Sequence, residues 1–225
     1  MKRIILTTAI ATVSGLACAG GFDGPFVQLG IGGAYTSTKV TGLTTGSGSS
    51  ADGTVSGGSV NGLVAAGYSQ EIAASGFNLA ANIFYVIGNQ KSGSNSSTAT
   101  NSSNYTASIG TDNKLENTFG ISIEPGWNFS KETLGYVKLA WVNTQSKNSI
   151  LFSNNDPSSS QDAANKNLNG FGYGLGIKQM ISKDIFAGID LMGVAYGSNK
   201  PGGDFSGSGF KPSQFLGFAS VGYKF

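Results

Sequence analysis

The sequence has no histidine, one cysteine (Cys18) and no arginine after Arg3. Each absence removes a class of chemistry. Without histidine there is neither a Ser–His–Asp triad nor an imidazole metal ligand. With a single cysteine there is no intrachain disulfide, so rigidity must come from the fold itself. A body free of arginine argues against a nucleic-acid partner. Charged residues make up only 12% of the chain. Beyond the N-terminus no stretch offers the 18 or so uncharged apolar residues that a membrane helix needs.

What is abundant is glycine and aromatics, with 35 Gly, 14 Phe and 8 Tyr, set among many Ser, Thr and Asn. So much aromatic and β-branched content excludes disorder, and glycine without a Gly-X-Y period excludes a collagen-like chain. A length of 225 residues suits one or two ordinary domains or one all-β barrel.

The first residues read as a secretory signal. Lys2 and Arg3 form a basic start, Ile4 to Leu16 an apolar core, and Ala17, Cys18 and Ala19 a small-x-small cleavage site. The reading places a cleaved signal at 1–19, with Ala17 and Ala19 as the cleavage determinants, and a single domain at 20–225. A lipidated Cys18 is the rival, and it meets Gly15 where that signal wants a bulky aliphatic residue. Removing 1–19 takes Lys2 and Arg3 from the 14 basic residues and leaves 12 Lys against 12 Asp and Glu. The mature chain is close to neutral.

Eight segments alternate with period two: 25–36, 59–70, 77–88, 114–129, 134–144, 169–180, 185–196 and 214–225. Several match the 9 to 11 residues with which a tilted strand crosses a bilayer. Their connections alternate in length. Three are short, around 71–75, 130–133 and 181–184, and four are long and polar, at 37–58, 89–113, 145–168 and 197–213. Long structureless loops sit badly in a compact soluble domain. A membrane barrel with short periplasmic turns and long external loops accommodates them. The expected fold is therefore all-β, an eight-stranded antiparallel up-and-down transmembrane barrel with four long external loops.

One face of these strands is apolar, as in Val27, Leu29 and Ile31, or Phe171, Tyr173, Leu175 and Ile177. The other is small or polar, as in Gly172, Gly174, Gly176 and Lys178. The charges inside strands, Glu116, Glu124, Lys138, Lys178, Asp190 and Lys224, fall on the small/polar face and are expected to form an interior network. On a lipid face a charge at mid-depth costs about 2–4 kcal/mol. Counting from the turn at 130–133 puts Glu124 almost opposite Lys138. Aromatic residues gather near strand ends in two belts, as suits two bilayer interfaces. The last strand should turn Phe215, Val221, Tyr223 and Phe225 to lipid and Leu216 and Phe218 inward. It should also pair with the first, because a closed cylinder leaves no edge.

The segments GGFDGPFVQLGIGG (20–33), LGYVKLAW (134–141), GFGYGLGIK (170–178) and ASVGYKF (219–225) resemble, in this order, small eight-stranded outer-membrane barrels of the OmpA-like and opacity-protein type. The resemblance spans essentially the whole mature chain. It implies residence in the bacterial outer membrane among lipids and lipopolysaccharide. It also implies delivery by periplasmic chaperones to the barrel-assembly machinery, with Val221, Tyr223 and Phe225 as the assembly signal. Two departures stand out. No peptidoglycan-binding domain is expected after the barrel, and the interior offers Lys where members often use Arg, which leaves a wetter lumen open.

The resulting expectation is a non-enzymatic envelope protein with no cofactor or metal, whose loops contact host or other cell surfaces. Two alternatives stay open: a narrow porin-like channel for small solutes, and a soluble periplasmic ligand-binding β-barrel of lipocalin type. An eight-stranded interior is only just wide enough for side chains, which counts against a large conductance.

Overall fold

The computed structural model describes residues 21–44, 50–73, 75–100, 106–153, 159–198 and 209–225. The expected signal, with Ala17 and Ala19, lies outside them. Among the described residues nine strands form one antiparallel sheet: β1 (Gly24–Thr44), β2 (Ser50–Glu71), β3 (Phe77–Ile87), β4 (Gln90–Thr100), β5 (Thr106–Asn128), β6 (Thr133–Ser153), β7 (Ser159–Met180), β8 (Ile185–Tyr196) and β9 (Gly209–Lys224). Sequential neighbours pair except β3 and β4, which both pair with β5, and β9 pairs with β1 from Phe26↔Lys224 to Thr41↔Gly209. The sheet therefore closes on itself.

β3 and β4 together make one of eight staves. β3 pairs with the lower part of β5, from Phe77↔Trp127 to Val86↔Thr118, and β4 with its upper part, from Gln90↔Leu115 to Thr100↔Thr106. The break between them falls at Gly88, whose φ of +112° suits glycine alone. The partner strand bends at the same height, with a register shift between Glu116 and Phe119 and a positive φ of 53° at Asn117.

The expected long loops need correction. β1 and β2 continue their ladder through Ser37↔Ser56 to Thr44↔Ser50, and β6 and β7 through Asn148↔Ala163 to Phe152↔Ser159. Most of 37–58, 89–113 and 145–168 is thus paired strand. These Ser-, Thr-, Asn- and Gly-rich runs carry no apolar alternation. Their backbone N–H and C=O groups still seek partners, and a continued antiparallel ladder supplies them.

The three short turns and both ends of the barrel chain share one rim. Ile72 N–H donates to Phe77 O (2.8 Å), Phe129 N–H to Thr133 O (2.9 Å) and Ile181 N–H to Ile185 O (2.8 Å). Phe225 N–H donates to Pro25 O (3.0 Å) at the β1–β9 seam.

The faces follow the alternation. Val27, Leu29, Ile31, Ile83, Ile121, Leu175, Ile189 and Val221 are exposed on the outer wall. Aromatic rings bound this band. Tyr85, Phe119, Trp141 and Phe171 form one outward row on neighbouring strands, with Phe119 and Trp141 edge-to-face at 6.1 Å. Trp127, Phe129, Tyr223 and Phe225 lie at the opposite rim.

Candidate functional site: an ionic layer inside the barrel

The lumen is filled in alternating layers. Nearest the short turns is an apolar cluster of Phe22, Phe26, Ala80, Leu134, Tyr136 and Phe186. A charged layer follows. Beyond it stands a larger apolar cluster that includes Leu63, Phe84, Val86, Val142, Met192, Leu216 and Phe218. The inward Leu216 and Phe218 expected from the last strand are 0% and 5% exposed. A second polar layer lies above, where Gln214 Nε2 donates to Gln90 Oε1 (2.6 Å) and Thr118 and Thr144 share a hydroxyl bond of 2.7 Å.

Inward glycines make this filling possible. A Cβ added to Gly176 would stand 2.3 Å from Tyr136 Oη, and one added to Gly222 would stand 2.1 Å from Phe186 Cζ. The Gly-x-Gly-x-Gly pattern of β7 thus clears space for rings projecting from neighbouring staves.

In the charged layer four of the sequence-derived residues meet. Lys138 Nζ lies 3.0 Å from Glu124 Oε1 and 2.6 Å from Asp190 Oδ1, and Lys178 Nζ lies 2.8 Å from Glu124 Oε2. All four residues are buried. Two ammonium groups balance two carboxylates, so the layer is neutral. Further donors bring each carboxylate to three partners. Asn82 Nδ2 donates to Glu124 Oε1 (2.7 Å), Gln28 Nε2 to Asp190 Oδ2 (3.1 Å), and the Tyr136 hydroxyl to Asp190 Oδ1. Ser122 and Ser220 extend the network through Asn82 and Gln28. Beneath it, Lys178 Nζ sits 4.7 Å from the Phe26 ring centre and 4.6 Å from that of Tyr136, an arrangement favourable to a desolvated cation.

Two residues expected in the network lie elsewhere. Glu116 is on the outer wall, where its Oε2 meets Lys147 Nζ at 2.7 Å. The register shift between Glu116 and Phe119 inverts the alternation, so Leu115 takes the inward place. Lys224 is half-buried at the short-turn mouth and donates to Gly21 O (3.0 Å). It is too near the end of β9 to reach the charged layer. Val221, Tyr223 and Phe225 all face outward, with the Tyr223 and Phe225 rings 5.0 Å apart.

Gln28, Asn82, Ser122, Tyr136 and Ser220 were not expected as network members. Their signal was available in principle: each is a polar group at an inward position on its strand.

Among the described residues this arrangement leaves little free space around the ions. The cavity between the charged layer and the upper apolar cluster, bordered by Gln28, Lys138, Asp190 and Phe218, measures about 20 Å³. The one beside Lys178 and Phe186 measures about 10 Å³. A single water needs roughly 10–15 Å³. Among the described residues no group of three or more His, Cys, Asp or Glu is placed to hold a metal ion. The chemistry of the layer is mutual neutralisation across the lumen.

Fold and site together define a closed eight-stave β-barrel with a filled, ionic interior and an apolar outer wall. No family model matches the chain, and no curated protein matches its sequence. Among solved structures it is similar to Neisserial surface protein A (16% identity, 90% of this chain and 98% of that one, TM-score 0.41). It is similar also to the outer membrane protein OprG from Pseudomonas aeruginosa (12%, 92% and 99%, 0.39). A third is Ail, the attachment invasion locus protein of Yersinia pestis (14%, 88% and 99%, 0.35). At these identities and scores the likenesses carry no argument about function.

Proposed function

We propose that the chain, after loss of residues 1–19, is a non-enzymatic bacterial outer-membrane barrel with a closed lumen. It holds paired hairpin extensions on the outer side as a surface for contact with host or other cells. One observation carries the reading: the polarity is inverted relative to a water-soluble barrel. Ions are concentrated at the centre, while Leu29, Ile31 and Ile83 are each more than 60% exposed in a ring-bounded apolar band. In water such a continuous band would drive aggregation. In a bilayer it is the matched surface, and only a closed barrel satisfies its own backbone there.

Val221, Tyr223 and Phe225 on the outer face of β9 serve as the assembly signal, with periplasmic chaperones covering the apolar wall in transit. The layered lumen supports a structural and surface role over a channel for small solutes.

The test is refolding of residues 20–225 into detergent and bilayers. Heat-modifiable gel mobility and electrically silent planar bilayers are expected. Sustained unit conductance steps would favour the porin-like alternative, and a monomer soluble without detergent would favour the lipocalin-type one.

A further inference from the structure

Above the Tyr85–Phe119–Trp141–Phe171 row the outer wall carries lysines in unusual places. Lys91 is directly opposite Lys114, and Lys114 is directly opposite Lys147. On the far side of the barrel Lys39 is directly opposite Lys211. All five point outward, because their neighbours Gln90, Leu115, Ser146, Thr38 and Pro212 are buried. Directly opposed side chains have Cβ atoms about 4.5–5.5 Å apart, and like charges so placed repel. Among the side chains described on this part of the wall the single carboxylate is Glu116, against Lys147. Asp112 and Asp162 each pair with Ser149, two residues beyond Lys147 along β6.

The height of the lysines is informative. Lys39 and Lys211 stand four residues beyond the opposed pair Tyr35 and Phe215. On a strand tilted by 35–45°, that is roughly 10 Å above the interfacial rings. This is the level of membrane head groups.

We infer that the two lysine clusters, Lys39/Lys211 and Lys91/Lys114/Lys147, bind phosphate groups on the head groups of outer-leaflet glycolipid. The inference rests on the outer-membrane reading. Repulsion between opposed ammonium groups is relieved when a phosphate sits between them, so this rim of the barrel is completed by lipid. Lysine suits the task as a compact point charge on a flexible stem that adapts to a mobile head group.

The experiment uses the barrel folded in zwitterionic detergent, titrated with fluorescently labelled diphosphoryl lipid A and, in parallel, with its dephosphorylated form. Wild type should prefer the diphosphoryl form, and added salt should weaken binding. Each lysine near an anionic surface contributes enough that K39Q/K211Q should bind about 30-fold more weakly. K91Q/K114Q/K147Q should lose on the order of 100-fold. Without lipid A, K39Q/K211Q should melt at or above the wild-type temperature, since a repulsion has been removed.

Equal binding by wild type and variants, or equal binding of dephosphorylated lipid A, overturns the inference. So does a lower melting point of K39Q/K211Q without lipid A, which would mean that these two lysines are paired within the protein. Displacement by heparin together with no response to lipid A would assign the clusters to a soluble polyanion and overturn the lipid assignment. Failure to give a heat-modifiable folded band in any detergent would sink the barrel reading itself, a result distinguishable from all of these.

Discussion

Lys138 on β6 and Asp190 on β8 meet at 2.6 Å although β7 runs between their strands. The register explains how. Gly174 stands opposite Lys138, and Gly176 stands opposite both Tyr136 and Asp190. With no side chain on β7 at that level, the ammonium and the Tyr136 hydroxyl reach across it to one carboxylate. Together with Glu124, Gln28, Asn82 and Ser220 the contact ties six of the eight staves, and Lys178 adds β7 as a seventh.

That bridge makes Gly176 a sharp test of packing. Gly176→Ala should lower stability by about 1–3 kcal/mol, because the new methyl group collides with Tyr136 and overpacking carries that cost. Gly172→Ala, whose Cβ would stand 3.0 Å from the flexible Met192 Sδ, should be milder. Urea unfolding of both variants in detergent checks the order. The reverse ranking would mean that the lumen relaxes around β7.

Removing one member of the charged layer strands its partner in a dry interior. Glu124→Gln or Lys138→Met should each cost about 3–5 kcal/mol, as for other broken buried pairs. The double variant should lose clearly less than the sum of the two. Additive losses, within about 0.5 kcal/mol, would show that the residues are uncoupled. Glu116→Gln is the control: its pair with Lys147 is solvent-accessible and should contribute no more than about 1 kcal/mol.

The lumen is closed twice, by Phe84, Leu216 and Phe218 above the ions and by Phe26 and Phe186, edge-to-face at 6.0 Å, below them. Phe218→Ala should destabilise by about 3–5 kcal/mol through the cavity it leaves, yet keep planar bilayers silent. Phe186→Ala combined with Phe218→Ala should admit measurable ion current. Unit steps from Phe218→Ala alone would show that the lower layer does not seal.

Deleting Phe225 separates assembly from stability. Its ring is 70% exposed on the wall and packs against Tyr223. The truncated chain should refold in detergent with nearly wild-type melting but accumulate far less in the outer membrane of cells. Equal loss in both settings would make Phe225 a stability residue, with no separate role in assembly.

By itself the sequence determined which side chains of the central band face outward and which face inward. Period-two alternation is local, and it already assigned Leu216 and Phe218 to the interior and Glu124, Lys138, Lys178 and Asp190 to one face. The tertiary structure decided everything that depends on register. Lys138 reaches Asp190 across a strand only because two glycines intervene. Glu116 leaves the interior because a bulge at Asn117, invisible in the alternation, inverts one strand. The polar extensions pair as ladders with no periodic signal, since neither of their faces is selected for apolar residues. The opposed lysines likewise appear only once β4, β5 and β6 are aligned. Alternation sets the face of a residue within one strand, whereas register is a property of two strands far apart in the chain.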